Sequence, residues 1–481
     1  MTRSLNRLAL GLLVLMVALM VQLTRIQVLQ RAELNSMPGN QRTLLTEYSR
    51  ERGPILVDRA PIAESVSTDD DLQYLREYAA GPMFASATGF YSIVYGATGL
   101  EKAENPVLSG EDPRLFVDRM QQLFGGRQIK GGAVTTTLDA AAQRAAWDGL
   151  KGKVGSVVAI EPSTGRILAQ VQSPSFDPNG LSSHNSKEVN AYYRSLEDDE
   201  EKPLLNRPIA KTNPPGSTFK VVTAAAALES GRFEPDSILP GPQTYTLPGS
   251  SVELPNWTGT ECGPDGKVTL AEALAISCNT AFAWLGNELG ADALRDQAEK
   301  FGFEESFETP LRAATSRFPA DPDPAQTAMS AIGQFDVRAT TLQMAMVSAA
   351  ISNGGVTMRP GIVDQTAAPD LTPLETFRPR DFAQAMSPQN AAKLTAMLVG
   401  VVNGGTGSNA KIPGVEVAGK TGTAETAKNR PAIAWFISFA PASNPRVAVA
   451  VAVENAGVSE VSGNQLAAPI ARAVMQAVLS G

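Results

Sequence analysis

Hydrophobic and polar positions follow three regimes along this chain, and each predicts a different kind of element. After a short basic opening (Arg3, Arg7), the run from Leu8 to Val21 is apolar throughout except for Gly11. It is slightly short for a spanning helix, yet too long and too hydrophobic for a surface element. No small-x-small cleavage site follows, so it reads as an uncleaved signal anchor at 8–25 behind a tail at 1–7. Arg25 and Arg31 beyond the run leave only a weak charge asymmetry across it. From 26 to 130 no period is sustained: Arg50 to Leu56 and Gly89 to Gly96 are irregular, and no catalytic cluster stands out. This stretch reads as a pedestal that holds the next domain away from a membrane.

From 131 to 481 the pattern becomes legible. A β-rich stretch, Val134 to Asp139, leads into a helix over Ala140 to Leu150. Val154 to Ile160 and Arg166 to Val171 flank Glu161-Pro162-Ser163-Thr164-Gly165, a strand-turn-strand signal. The far end mirrors this, with Ala432 to Phe439 and Val447 to Val453 around Pro441-Ala442-Ser443-Asn444-Pro445. Between the two hairpins the chain is mostly helical. The order predicts an α+β domain, one mixed sheet built from both ends with the helical middle packed on it. Within that middle, Val221 to Leu228 is apolar on nearly all sides and closed by Gly231, which predicts a buried helix. Thr269-Leu270-Ala271-Glu272 reads as a capping box, and Thr280 to Leu289 as a second apolar helix ended by Gly290.

Composition narrows the chemistry. At 481 residues there is room for about three domains. The balance of 41 basic against 49 acidic residues, with no basic cluster, speaks against a nucleic-acid partner. There is a single histidine, His184, in the polar stretch Ser182 to Asn185. A two-histidine zinc site is therefore impossible, and acid-base work falls to lysine or carboxylates. Cys262 and Cys278 lie 16 positions apart and allow either a disulfide, worth about 3 kcal/mol for such a loop, or two free buried thiols. The run Glu197-Asp198-Asp199-Glu200-Glu201-Lys202 reads as a solvated loop.

Candidate chemistry centres on Pro214-Pro215-Gly216-Ser217-Thr218-Phe219-Lys220 at the head of the apolar helix. If a helix starts at or beside Ser217, Lys220 lies one turn above it, within reach of its hydroxyl. A serine needs such a base, and a lysine serves only where burial lowers its pKa. S-x-x-K alone is weak: a second copy, Ser408 to Lys411, runs straight into Pro413 and Gly414, where no helix can continue. Ser277-Cys278-Asn279 falls at a break between helices, where serine and asparagine can share a cleft; S-x-N also begins at Ser4, Ser183 and Ser462, so position matters more than pattern. Val417 to Glu425 reads as a strand on which Gly422 bares the backbone, while Lys420, Thr421 and Thr423 offer a cation and two hydroxyls to an anion.

S-x-x-K, S-x-N and K-T-G in this order mark penicillin-binding proteins and β-lactamases. The chain resembles the class B penicillin-binding proteins, D,D-transpeptidases of peptidoglycan synthesis, most of all their short actinobacterial type A. Arg50 to Leu56, Thr137-Leu138-Asp139, Asn206-Arg207-Pro208, Ile332-Gly333-Gln334, Ala434-Trp435-Phe436 and Phe439-Ala440-Pro441 extend the likeness over essentially the whole chain. The resemblance implies a transpeptidase fold with an all-helical subdomain. It further implies Ser217 as nucleophile, Lys220 as its base and Ser277 as proton relay to the leaving D-Ala. Asn279 would bind the peptide amide, Lys420, Thr421 and Thr423 the terminal carboxylate, with Gly422 between them. The backbone N–H groups of Ser217 and Thr423 would form the oxyanion hole, and no metal or organic cofactor is needed. Implied partners are stem peptides, β-lactams and, through the anchor, a SEDS-type membrane glycosyltransferase and other division proteins. The chain would be a single-pass membrane protein with its large C-terminal portion outside the cytoplasm. It departs from the family where a histidine often precedes Ala-Trp-Phe (here Pro431-Ala432-Ile433) and where glycine often follows Ile-Gly-Gln (here Phe335).

Other readings stand beside this one. A β-lactamase needs a deacylating base, and the nearest approach to E-x-x-L-N, Glu308 to Arg312, ends in arginine. A D,D-carboxypeptidase would use the same residues with water as acceptor. The pedestal is too short for a polymerase domain, and a non-catalytic scaffold or sensor would not require Ser217, Lys220, Ser277 and Lys420 together.

Overall fold

The structure, a computed structural model, describes residues 2–30, 48–116, 120, 130–426 and 431–481. Arg31 and parts of the pedestal, 31–47, 117–119 and 121–129, lie outside the described residues. The amino-terminal run forms a helix, Thr2–Thr24, continued by a π-helical turn, Arg25–Leu29. Asn6–Gln27 is long and apolar enough to cross a membrane, with a mean hydropathy of 2.1 and no burial against the rest of the chain. It is the one such helix among the described residues.

The pedestal has more order than its irregular sequence suggests. Strands Ile55–Val57, Ala60–Ser67 and Tyr74–Glu77 form one side of a six-stranded sheet whose other side comes from Ala133–Thr136, Val363–Ala367 and Pro373–Thr376. Ile55–Val57 pairs in parallel with Ala133–Thr136, and the remaining neighbours are antiparallel. Short strands drawn from distant segments leave no local period to read, which is why the stretch looks featureless in sequence. Beneath the sheet, Glu101 is buried between two buried arginines, 2.6 Å from Arg52 Nε and 2.7 Å from Arg76 Nε. Burial alone would raise the Glu101 pKa, but the charges of Arg76 and Arg52 outweigh it and hold the carboxylate below its ordinary value.

The second sheet has five strands in the order Ala418–Ala424, Ile433–Ala440, Val447–Asn455, Val154–Ile160, Ile167–Ser173. Both ends of the domain supply it, as the hairpin signals require, and every neighbouring pair is antiparallel, so this sheet is not a mixed one. The run Val447–Asn455 shows how its two faces are told apart. Val447, Val449, Val451 and Val453 pack with the terminal helices Ala140–Leu150 and Ala468–Ser480. Ala448, Ala450 and Ala452 face the opposite core, where small side chains let the buried helix Thr341–Ser352 lie close. Packed on that side is the helical middle, with Lys220–Glu229 at its centre and buried continuously from Lys220 to Leu228.

Candidate active site

Ser217 sits in a single 3-10 turn, Gly216–Thr218, and the α-helix proper begins at Lys220. The helix therefore starts three residues later than the simplest reading of the motif, because Gly216 enters the turn with φ +53°. A backbone carbonyl and an indole side chain hold the turn and the residues before it. Gly216 N donates to Gly333 O at 2.9 Å, and Trp435 Nε1 donates to Pro214 O at 3.0 Å. The strand Ala418–Ala424 passes alongside so closely that a Cβ on Gly422 would stand 3.0 Å from both Pro215 O and Thr218 Cγ2. Only glycine lets that backbone run against the Ser217 turn without pushing it aside.

Two amines meet below the turn. Lys220 and Lys420 are both fully buried. Lys220 Nζ donates to Ser277 O (2.7 Å), Asn279 Oδ1 (2.7 Å) and more distantly Ser277 Oγ (3.3 Å). Lys420 Nζ donates to the same Ser277 Oγ and to Thr421 O, each at 2.9 Å. The Ser277 hydroxyl thus lies within hydrogen-bond distance of both amines, closer to Lys420 than to Lys220. Burial pushes the Lys220 pKa well below its usual value, and the charge of Lys420 pushes the same way. Burial brings Lys420 down to about 7. Ser277 has φ +62°, a conformation costly for a side-chain-bearing residue, at the break between the helices Leu270–Ala275 and Asn279–Leu289.

All eight residues singled out in the sequence converge here, with one rearrangement. Ser217 Oγ is half-buried and makes no hydrogen bond to Lys220, whose amine is drawn to Ser277 and Asn279 instead. Lys420 lies wholly beneath the surface and Thr421 is buried beside it, whereas Thr423 is exposed. Residues with no motif complete the frame. Thr406 Oγ1 lies 2.7 Å from Thr421 Oγ1, and its N–H donates to Ala275 O, tying the strand to the helix before Ser277. Asn256 and the disulfide Cys262–Cys278, with a Cα separation of 6.2 Å, fasten the other flank. No local signal marks Thr406 or Asn256, since both act across long sequence separations. Phe335, where glycine is usual, has φ +58°, a region glycine enters freely.

His184 pairs with Asp70 and Tyr74 O at the pedestal. Ser408 and Lys411 are exposed at a lone 3-10 turn. Among the described residues no group of three or more His, Cys, Asp or Glu side chains could hold a metal ion.

Comparison of the whole chain with known proteins places this site within a family. The family description "Penicillin binding protein transpeptidase domain" covers residues 155–476. The chain belongs to the penicillin-binding protein transpeptidase family. A second description, "Penicillin binding protein A dimerisation domain", covers 52–134. The peptidoglycan D,D-transpeptidase PbpA of Mycobacterium tuberculosis is 46% identical over all of both chains. That of Mycolicibacterium smegmatis is 46% identical over all of this chain and 99% of its own. Among solved structures, penicillin-binding protein A from M. tuberculosis as an imipenem acyl-enzyme complex superposes with a TM-score of 0.87 at 46% identity, over 90% of this chain and all of the other. Its penicillin G acyl-enzyme complex gives 0.85 at 45% identity, over the same shares. This penicillin-binding protein thus shares both its catalytic and its pedestal folds with those relatives.

Proposed function

We propose the following division of labour for this penicillin-binding protein, a serine D,D-transpeptidase that cross-links peptidoglycan stem peptides through an acyl-serine and is acylated by β-lactams. Ser217 Oγ attacks the carbonyl carbon of the penultimate D-Ala, and its proton passes to the Lys220 amine, kept neutral by burial. The oxyanion is met by the N–H groups of Ser217 and Thr423, each such donor being worth about 3 kcal/mol. The departing D-Ala nitrogen takes its proton from Ser277 Oγ, which is replenished from the lysines behind it. Thr421 and Thr423 hold the terminal carboxylate over the buried charge of Lys420, Gly422 lets the substrate backbone lie close, and Asn279 receives the peptide amide. An amine of a second stem peptide then attacks the ester, frees Ser217 and forms the cross-link.

The observation that carries this reading is the sharing of Ser277 Oγ by two buried amines beneath the Ser217 turn. Such an arrangement is costly to bury, and two buried amines with lowered pKa values around one hydroxyl are suited to moving a proton. A fluorescent penicillin should label the wild type covalently at Ser217, and Ser217→Ala should abolish labelling; persistence of the label would place the nucleophile elsewhere. A stem-peptide thioester with and without a D-amino acid acceptor separates transfer from hydrolysis, and transfer product should exceed hydrolysis product when acceptor is present.

In this reading the chain divides into a tail (1–7), an anchor (8–25), a pedestal (26–130) and a transpeptidase domain (131–481). The apolar helix supports a single-pass anchor, and the substrate requires the catalytic domain to stand outside the cytoplasm. A SEDS-type glycosyltransferase and other division proteins are the proposed membrane partners. Replacing residues 8–25 by an unrelated spanning helix should abolish co-purification with such a polymerase; unchanged recovery would remove that partner.

A further inference from the structure

The helix Asn279–Leu289 starts without a cap of its own. Its N-cap position is Cys278, which makes no side-chain capping bond and whose sulfur is committed to Cys262. The first N–H groups of a helix need acceptors from outside it. Here they are supplied by Asn256, distant in sequence, whose Oδ1 accepts from Asn279 N at 3.0 Å and Thr280 N at 3.1 Å. The Thr280 hydroxyl adds a third, longer contact at 3.3 Å. On its other side Asn256 Nδ2 donates to Pro242 O and Thr260 O, both at 2.9 Å. The carboxamide is therefore fully used, and the residue is only 4% exposed.

The residue before it completes the grip. Pro255 O accepts from Asn279 Nδ2 at 3.2 Å, while Asn279 Oδ1 receives Lys220 Nζ at 2.7 Å. An asparagine amide has two flip states, and the reversed one would turn Oδ1 against the Pro255 carbonyl oxygen and aim Nδ2 at the lone pair that the Lys220 amine needs as a base. Pro255 and Asn256 together thus select the orientation in which Asn279 serves Lys220.

We propose that Asn256 is a positioning residue of this active site: by capping the Asn279 helix from outside, it holds the Asn279 carboxamide in register with Lys220 and the substrate amide. This rests on the reading of Lys220 as the base for Ser217. Asn256 makes no hydrogen bond to Ser217 or Lys220, so its influence passes through Asn279.

The test is a double-mutant cycle on the second-order rate constant of acylation by a fluorescent penicillin, with labelling stoichiometry reporting the folded fraction. Asn256→Ala should slow acylation roughly tenfold in the wild-type background. In an Asn279→Ala background the same change should alter the rate by less than about twofold, because the group it positions has gone. Additive effects in the two backgrounds, or a wild-type rate for Asn256→Ala alone, would overturn the proposal. If Asn256→Ala does not fold, Asn256→Asp decides on its folded fraction, since it keeps the acceptor for Asn279 N and Thr280 N while setting a carboxylate oxygen against the Pro242 and Thr260 carbonyls, a cost read in the labelling stoichiometry. Its rate should stay within about threefold of wild type, and a loss of tenfold or more would assign the role to the loop tether rather than the cap. Ser217→Ala is run in parallel: labelling that survives it sinks the parent reading, whereas a normal rate in the Asn256 variants beside a silent Ser217→Ala sinks only this one.

Discussion

At the scale of single residues, the proposed tasks of the two lysines call for opposite charge states, the free amine for Lys220 and the cation for Lys420. With Lys220 as the proposed base, acting as the free amine, its lowered pKa should place the acid limb of acylation well below the usual lysine range. The proposed mechanism needs Lys420 as the cation, and burial brings its pKa down to about 7, so its charge should fade as pH rises past that value. The ratio of acylation rates for a carboxylate-bearing penicillin and its methyl ester should accordingly fall above about pH 7, and a ratio flat across that pH would deny Lys420 its role at the carboxylate. Lys220→Gln, which removes the base while keeping a hydrogen-bonding side chain, should slow acylation by about 100-fold or more, measured by the same labelling.

At the scale of elements, the site depends on backbones that approach more closely than side chains allow. Gly333 has φ +72°, and a Cβ there would stand 2.1 Å from Gly216 O, inside the turn that carries Ser217. Gly231 has nearly the same φ, +66°, but open space around it. Gly231→Ala should therefore cost only the left-handed strain of about 1 kcal/mol and leave labelling unchanged. Gly333→Ala should cost about 3 kcal/mol or more and suppress labelling of the protein that remains folded. Urea unfolding and penicillin labelling of both variants check the contrast; equal effects would mean that the clamp on the Ser217 turn is unimportant.

At the scale of the whole molecule, the pedestal and the catalytic domain are sewn together by one sheet, with strands from both sides of residue 131. The buried Glu101 stands under that seam. Glu101→Gln would leave two buried guanidiniums without a counter-ion and should destabilise the protein by about 3–5 kcal/mol in urea unfolding. The folded-state pKa of Glu101 is depressed, so its contribution is complete above the ordinary carboxylate range and is lost as pH falls through the lowered value. The stability gap between wild type and Glu101→Gln should therefore narrow on acidification, and a gap that widens would show that the carboxylate is not the stabilising form.

Local physics was readable in advance: the helix Ala140–Leu150 and the paired strands at each end of the catalytic domain follow from local pattern and turn residues, and the apolar helix behind Ser217 and the amino-terminal helix from unbroken apolar runs. Motif spacing also named the residues that gather at the cleft. Their actual partnerships were not readable, because Lys220 lies 57 positions from Ser277 and Lys420 lies 143 from it, distances that sheet register and helix packing close and no local pattern encodes. The disulfide between Cys262 and Cys278, the external cap supplied by Asn256 and the sheet shared by pedestal and catalytic domain belong to the same class. The chain's own order determined which groups were available and on which elements; the tertiary fold decided which of them share a proton, because hydrogen bonds act over about 3 Å and only packing brings remote segments that close.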